Sequence, residues 1–112
     1  MPKYSPRRAR ARWLEGAPSA LLAVYDNGGR SADRYTALYG APLWTPDYGF
    51  KLPARFMSED PFHPQGVGMF GEVETQCRPA LGRKVRYLDL PDRVRRCIEA
   101  DCRLEDAEEP TR

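Results

Sequence analysis

Apolar positions in this chain fall into short runs broken by glycine and proline, with no long periodic stretch. The first 16 residues open with MPKYSPRRARAR, which combines two prolines, dense positive charge and no apolar period. Such a segment buries too little surface to order itself, so a disordered basic arm is expected, with Trp13 and Leu14 docking its end. Leu21 to Tyr25 is apolar at successive positions, the pattern of a strand covered on both faces. Asp26-Asn27-Gly28-Gly29 follows, and Asn-Gly is a strong hairpin signal because a type I′ turn needs positive φ at both central positions. From Asp33 the chain alternates, with Arg34, Thr36 and Leu38 on one side and Tyr35, Ala37 and Tyr39 on the other. One hairpin over residues 21–39 is predicted, with a turn of two residues or a wider loop.

GAPLWTPDYG (40–49) reads as a Pro-broken loop carrying Leu43, Trp44 and Tyr48. Phe50 to Met57 is a third strand, which Pro53 would bend or move to a sheet edge. Residues 58–71 hold prolines and glycines around Phe62, Met69 and Phe70 and are expected to be irregular; residues 72–78 allow a short strand. A further strand over 82–87 would turn Val85 and Tyr87 inward. DLPDRVRRCIEADC then starts a helix, with Asp89 as N-cap, Pro91 and Asp92 in the first turn, and Leu90, Val94, Cys97 and Ile98 on one stripe. The opposite face carries Arg93, Arg95, Arg96, Glu99 and Arg103. The expected architecture is α+β: an antiparallel sheet of three to four strands with one C-terminal helix packed on it. The domain would span residues 17–104, between the arm (1–16) and an acidic tail (105–112).

Composition sharpens this picture at the two ends. Hydrophobic residues make up 41% and charged residues 30%, and the net charge of +2 hides an asymmetry. Lys3, Arg7, Arg8, Arg10 and Arg12 crowd the arm, while acids dominate from Glu99 onward. No apolar run approaches the roughly 18 residues of a spanning helix, so no membrane association is expected. Arg7-Arg8 resembles a twin-arginine signal, but ALLAV is too short for the apolar region that would follow, and a cytoplasmic product is expected. Three cysteines without C-x-x-C spacing fit reduced thiols. With His63 they total four metal ligands, but the local spacing of a structural zinc site is missing, so no metal or cofactor is expected. Cys97 is read as a small core hydrophobe.

Candidate chemistry is sparse. Paired glycines beside Arg30 and Arg34 can form an anion nest, while the spacing of Asp26, Asn27 and Asp33 does not match a calcium loop. His63, the single histidine, lies in PFHPQG and would need an orienting acid to act as a base. If the DNGG and PFHPQG loops meet at one end of the sheet, Asp26, Asn27, Arg34, His63 and Gln65 form a polar cluster. Trp44 and Tyr48 are candidate anchors for a partner, since aromatic residues dominate binding hot spots. Arg7, Arg8, Arg10 and Arg12 are candidate nucleic-acid contacts. Arg83, Lys84 and Arg86 are also basic, but strand alternation splits them between two faces.

Three blocks in order, YDNGG followed by DRYT (Tyr25–Thr36), MSEDPFHPQGVG (Met57–Gly68) and LGRKVRYLDLP (Leu81–Pro91), resemble a group of small uncharacterised proteins of tailed phages and bacterial mobile elements. The likeness covers about a third of the chain and implies context rather than activity: a phage or prophage product acting in the host cytoplasm, with an accessory or anti-defence role. The leading expectation is a non-enzymatic binding module directed at a host or phage protein. The alternatives are a nucleic-acid-binding accessory protein that uses the arm, and a small enzyme or nucleotide binder built on the His63 loop.

Overall fold

The computed structural model describes residues 12–40, 43–45, 49–74 and 80–107. In chain order these form β1 (Leu21–Asp26), β2 (Tyr35–Tyr39), β3 (Leu43–Thr45), β4 (Gly49–Met57), β5 (Gly68–Glu74), β6 (Arg83–Val85), a 3-10 turn (Tyr87–Asp89) and α1 (Asp92–Ala107). Every strand pairing is antiparallel, in one six-stranded sheet that runs β3-β4-β2-β1-β6 with β5 added to β4. The α+β class and the C-terminal helix are as expected, but the sheet has six strands instead of three to four. The extra strands come from segments read as irregular: Leu43–Thr45 lies inside the Pro-broken loop, and the second half of 58–71 belongs to β5.

β4 organises this sheet. Lys51 pairs with Leu43 of β3 and with Glu74 of β5, so those two strands lie on opposite edges of β4. β2 pairs with Ala54–Met57, beyond the stretch Gly49–Lys51 that pairs with β3. Pro53 falls between the two stretches, where that edge of β4 has no paired neighbour among the described residues and a missing N–H is tolerated. Of the two expected effects, a bend or an edge position, the edge position does not occur, because β4 has neighbours on both sides.

At the centre of the sheet both faces are buried, so β2 is covered along its whole length. On one face Leu21, Val24, Tyr35, Ala37, Tyr39 and Met57 pack against the helix. On the other, Leu38, Leu52, Ala54 and Val73 form a smaller cluster flanked by Tyr25, Phe56 and Leu81. A bulge at Leu22, between the pairs Leu21↔Tyr39 and Ala23↔Leu38, lets Leu21 and Val24 share the helix face despite their odd spacing.

The helix buries Val94, Cys97, Ile98 and Cys102, with Leu90 just ahead of them. At roughly 1.5–3 kcal/mol for each large side chain, this stripe is the main attachment of α1. The start of the helix differs from the sequence reading. Asp89 ends the 3-10 turn and is not the N-cap, because Leu90 is extended (φ −75°, ψ 151°), as a residue before proline tends to be. The first helical bond runs from Arg95 N–H to the Pro91 carbonyl, 3.1 Å. Asp92 then pairs with Arg96 (2.9 Å) and Arg95 (3.5 Å) across the first turn. The helix continues to Ala107, into the segment assigned to the acidic tail, since no breaker occurs before Pro110. At the other end, residues 12–14 are helical and Leu14 is buried, so residues 12–16 belong to the folded unit and not to the arm.

A polar network joins sheet and helix. The Tyr39 hydroxyl donates to Asp101 (2.7 Å), Arg55 lies 3.6 Å from the same carboxylate, and Arg55 Nε donates to Cys97 Sγ at 3.3 Å. Burial pushes the Tyr39 hydroxyl above its ordinary pKa, and the Asp101 contact adds to this. Burial likewise raises Asp101, against the opposing pull of Tyr39 and Arg55, and raises the Cys97 thiol. The Tyr87 hydroxyl donates to Glu99 at 2.9 Å.

Candidate functional site

The β1–β2 connection is a loop over residues 27–34, wider than a two-residue turn and wired by its own side chains. Asn27 Oδ1 accepts from the Gly29 and Arg30 amides (2.8 and 3.0 Å), and Asn27 Nδ2 donates to Ser31 Oγ and the Asp33 carbonyl. Gly28 and Gly29 take positive φ (79° and 86°), which side-chain-bearing residues rarely adopt. The Asn27 N–H closes the loop onto the Arg34 carbonyl at 3.0 Å. Asp26 and Asn27 thus organise the turn, as their Asn-Gly context suggested.

Arg34 ties this loop to the next one. Its Nε and Nη2 donate to the two Asp26 oxygens (2.8 and 3.1 Å), and its Nη1 donates to Glu59 at 2.6 Å. Asp26 is 8% exposed; Arg34 and the Gly28 amide together hold its carboxyl below the ordinary range, outweighing the opposing effect of burial. Such a fork-to-carboxylate pair fixes orientation as well as charge.

The second loop, 58–67, is also self-bonded. Ser58 N–H donates to the Val67 carbonyl and Ser58 Oγ accepts from Val67 N–H, both at 2.9 Å. Asp60 Oδ1 accepts from the Phe62 amide, and the His63 carbonyl accepts from Gly66 N–H. Between the loops lies an open hollow of about 450 Å³, lined by Ser31, Arg34, Glu59, His63, Gln65 and their neighbours. Of the five residues expected to cluster, Arg34, His63 and Gln65 line this hollow, while Asp26 and Asn27 do not. His63 is exposed, and its Nδ1 accepts from the Gln65 amide at 3.1 Å. The ring is thus oriented by a backbone N–H and not by the carboxylate that a general base would use.

A second feature lies at one margin of the sheet. Among the described residues β5 pairs with β4 alone. Met69 and Phe70 on this strand are 57% and 66% exposed, and Phe62 in the adjoining loop is 52% exposed. The Arg55 guanidinium sits 4.0 Å from the centroid of the Phe70 ring, which holds the ring in place without covering it. Sequence reasoning noted these apolar residues but assigned them to an irregular loop. The register Phe56↔Met69 and Arg55↔Phe70, which continues the β4 pattern backward through a hairpin, is the signal that would have placed them on a strand.

Trp44 lies on β3, not in a loop. Tyr48 and the arm residues Arg7, Arg8 and Arg10 lie outside the described residues, as does Cys77. Cys97 and Cys102 are buried on α1, apart in environment from exposed His63, and no group of metal-ligating side chains converges among the described residues. No described helix is long and apolar enough to cross a membrane. Comparison of the chain with family models, curated proteins and solved structures finds no match.

Proposed function

We propose that this protein is a non-enzymatic binding module that docks on a partner protein through its β5 margin. The observation that carries the reading is the exposed set of Met69 and Phe70 on β5, with Phe62 in the adjoining loop, on a strand that has one paired edge among the described residues. An extended segment of a partner can add to such an edge through main-chain hydrogen bonds while the aromatic rings supply contact area. The mutual wiring of the polar groups around the hollow supports a preformed rim more than a reaction centre. Arg34 bonds both Asp26 and Glu59, and Ser58 is committed to Val67 and Asp60. A phage or mobile-element accessory role in the host cytoplasm, with an anti-defence target as one form of it, rests on the block resemblance and belongs to the same proposal.

The test is affinity capture from host lysate with the wild-type chain beside a variant combining Phe62→Ser, Met69→Ser and Phe70→Ser, with matched melting temperatures. A protein retained by the wild type and lost by the variant supports the reading. Equal capture by both, or capture by neither, overturns it.

A further inference from the structure

The opposite margin of the sheet has a different chemistry. β6 is the end strand of the sheet path and pairs with β1 through Val24↔Val85, Tyr25↔Lys84 and Asp26↔Arg83. Two recesses of about 470 and 460 Å³ run along it and share Asp26, Arg34 and Arg83. A third, of about 110 Å³, shares Trp13 and Arg86 with the second. Adjoining through these shared residues, they form a groove along the β6 edge from Arg30 through Arg83 and Lys84 to Arg86 and Arg12. Its floor is kept low at Gly82, where φ is +108° and the backbone lies against Asp26 and Asn27, leaving no room for a Cβ.

The groove carries more cations than acids: Arg12, Arg30, Arg34, Arg83, Lys84 and Arg86 against Glu15, Asp26 and Asp89. Arg34 is satisfied by Asp26 and Glu59, and Arg86 faces Asp89 at 3.4 Å with both side chains more than half exposed. Arg30 and Arg83 enter no ion pair among the described residues. Trp13 stands at the far end, with the Arg12 guanidinium and the Lys84 ammonium each 5.1 Å from its ring centroid. Arg12 is also where the groove meets the N-terminal segment, whose preceding residues include Lys3, Arg7, Arg8 and Arg10. Strand alternation suggested that Arg83, Lys84 and Arg86 would separate; at a sheet edge, however, side chains from both faces line the same groove.

We infer that this β6-edge groove binds single-stranded nucleic acid. Phosphates would lie along Arg30, Arg83, Lys84 and Arg86, and a base would stack at Trp13. Cations that track a backbone, with an aromatic ring for stacking, are the combination single strands require. These recesses suit a flexible single strand better than a duplex, whose major groove admits a helix or a two-stranded ribbon. The inference is independent of the β5-margin reading, and it differs from binding by the arm alone because it assigns the contact to folded residues.

The test is fluorescence anisotropy with a labelled oligothymidylate of about 15 nucleotides, the scale of one compact binding domain. A duplex of equal length and heparin serve as competitors. The full chain is compared with Arg83→Glu/Lys84→Glu, with the milder Arg83→Gln/Lys84→Gln in case charge reversal perturbs the fold, with Trp13→Ala, and with a chain lacking residues 2–11. The wild type is expected to bind with affinity that falls steeply with salt, with a log–log slope of about −0.7 per phosphate engaged. The double variants should weaken binding roughly tenfold or more, and Trp13→Ala should weaken it by about tenfold with loss of tryptophan quenching. Removal of residues 2–11 should weaken binding while leaving it sensitive to Arg83 and Lys84. The inference is overturned if the double variants bind as the wild type does, if removal of residues 2–11 abolishes binding altogether, or if duplex or heparin competes better than the single strand.

Discussion

Arg34 and Glu59, 25 residues apart in sequence, meet at 2.6 Å, and through that contact two separate loops share one guanidinium. The same side chain grips Asp26 with two further hydrogen bonds. Each loop is closed by its own bonds, so Arg34 sets how they sit relative to each other rather than whether each forms.

Replacing Arg34 with glutamine should therefore loosen the 58–67 loop without melting the sheet. Hydrogen exchange should speed up at loop amides such as Phe62 and Gly66, while the amides of β1 and β2 keep their protection. Uniform acceleration across the sheet would show that Arg34 carries global stability instead.

Asp26→Asn should make the protein less stable at neutral pH by about 1–3 kcal/mol, the usual loss for a hydrogen-bonded charged group. The folded carboxyl titrates below its ordinary value of 3.8, so its contribution is fully present above that pH and is lost as pH falls through the lower folded value. Urea titrations of both proteins should show a constant gap near neutrality that closes below pH 3.8.

Two glycines with positive φ should respond differently to alanine. At Gly82 a Cβ would meet the Asp26 carbonyl and Asn27 Cα, so Gly82→Ala combines strain with a backbone clash and should cost more than about 2 kcal/mol. At Gly28 nothing lies within 4 Å, and Gly28→Ala should cost about 1 kcal/mol from backbone strain alone. Thermal melts of the pair read the difference directly.

Tyr39→Phe removes the donor to Asp101 and leaves that carboxylate with Arg55 at 3.6 Å. Asp101 already titrates above its ordinary value, so it favours folding at low pH and opposes it as pH rises through the raised folded value. The loss of about 1–3 kcal/mol should be largest at neutral pH and smaller below pH 3.8, where Asp101 is protonated in both states.

Much of the architecture was legible because it rests on local pattern. The alternation of 33–39 placed Tyr35, Ala37 and Tyr39 on the helix face and Leu38 on the other. The Leu90, Val94, Cys97 and Ile98 stripe found its buried side. What escaped was set by pairing between distant segments. Leu43–Thr45 is too short to announce itself, and Pro53 is tolerated only because two strands share one edge of β4. Within the hollow, Arg34, His63 and Gln65 were readable as a cluster, since both loops are marked by glycine and proline. Glu59, which completes the tie between the loops, has no local signal that pairs it with Arg34, 25 residues away. The β6 groove was hidden because alternation rules assume two separate faces, and an edge strand joins them.

The pairing of β1 with β6 joins the beginning of the sheet to a strand that follows all the others in sequence. β4 and β5, by contrast, close as neighbours around a short loop. Closing the longer loop costs more chain entropy, so β6 is expected to be the last strand to zip up during folding and the first to peel away under stress. Anything held against that strand would then act as a clasp, slowing the unravelling of the sheet from its most vulnerable end.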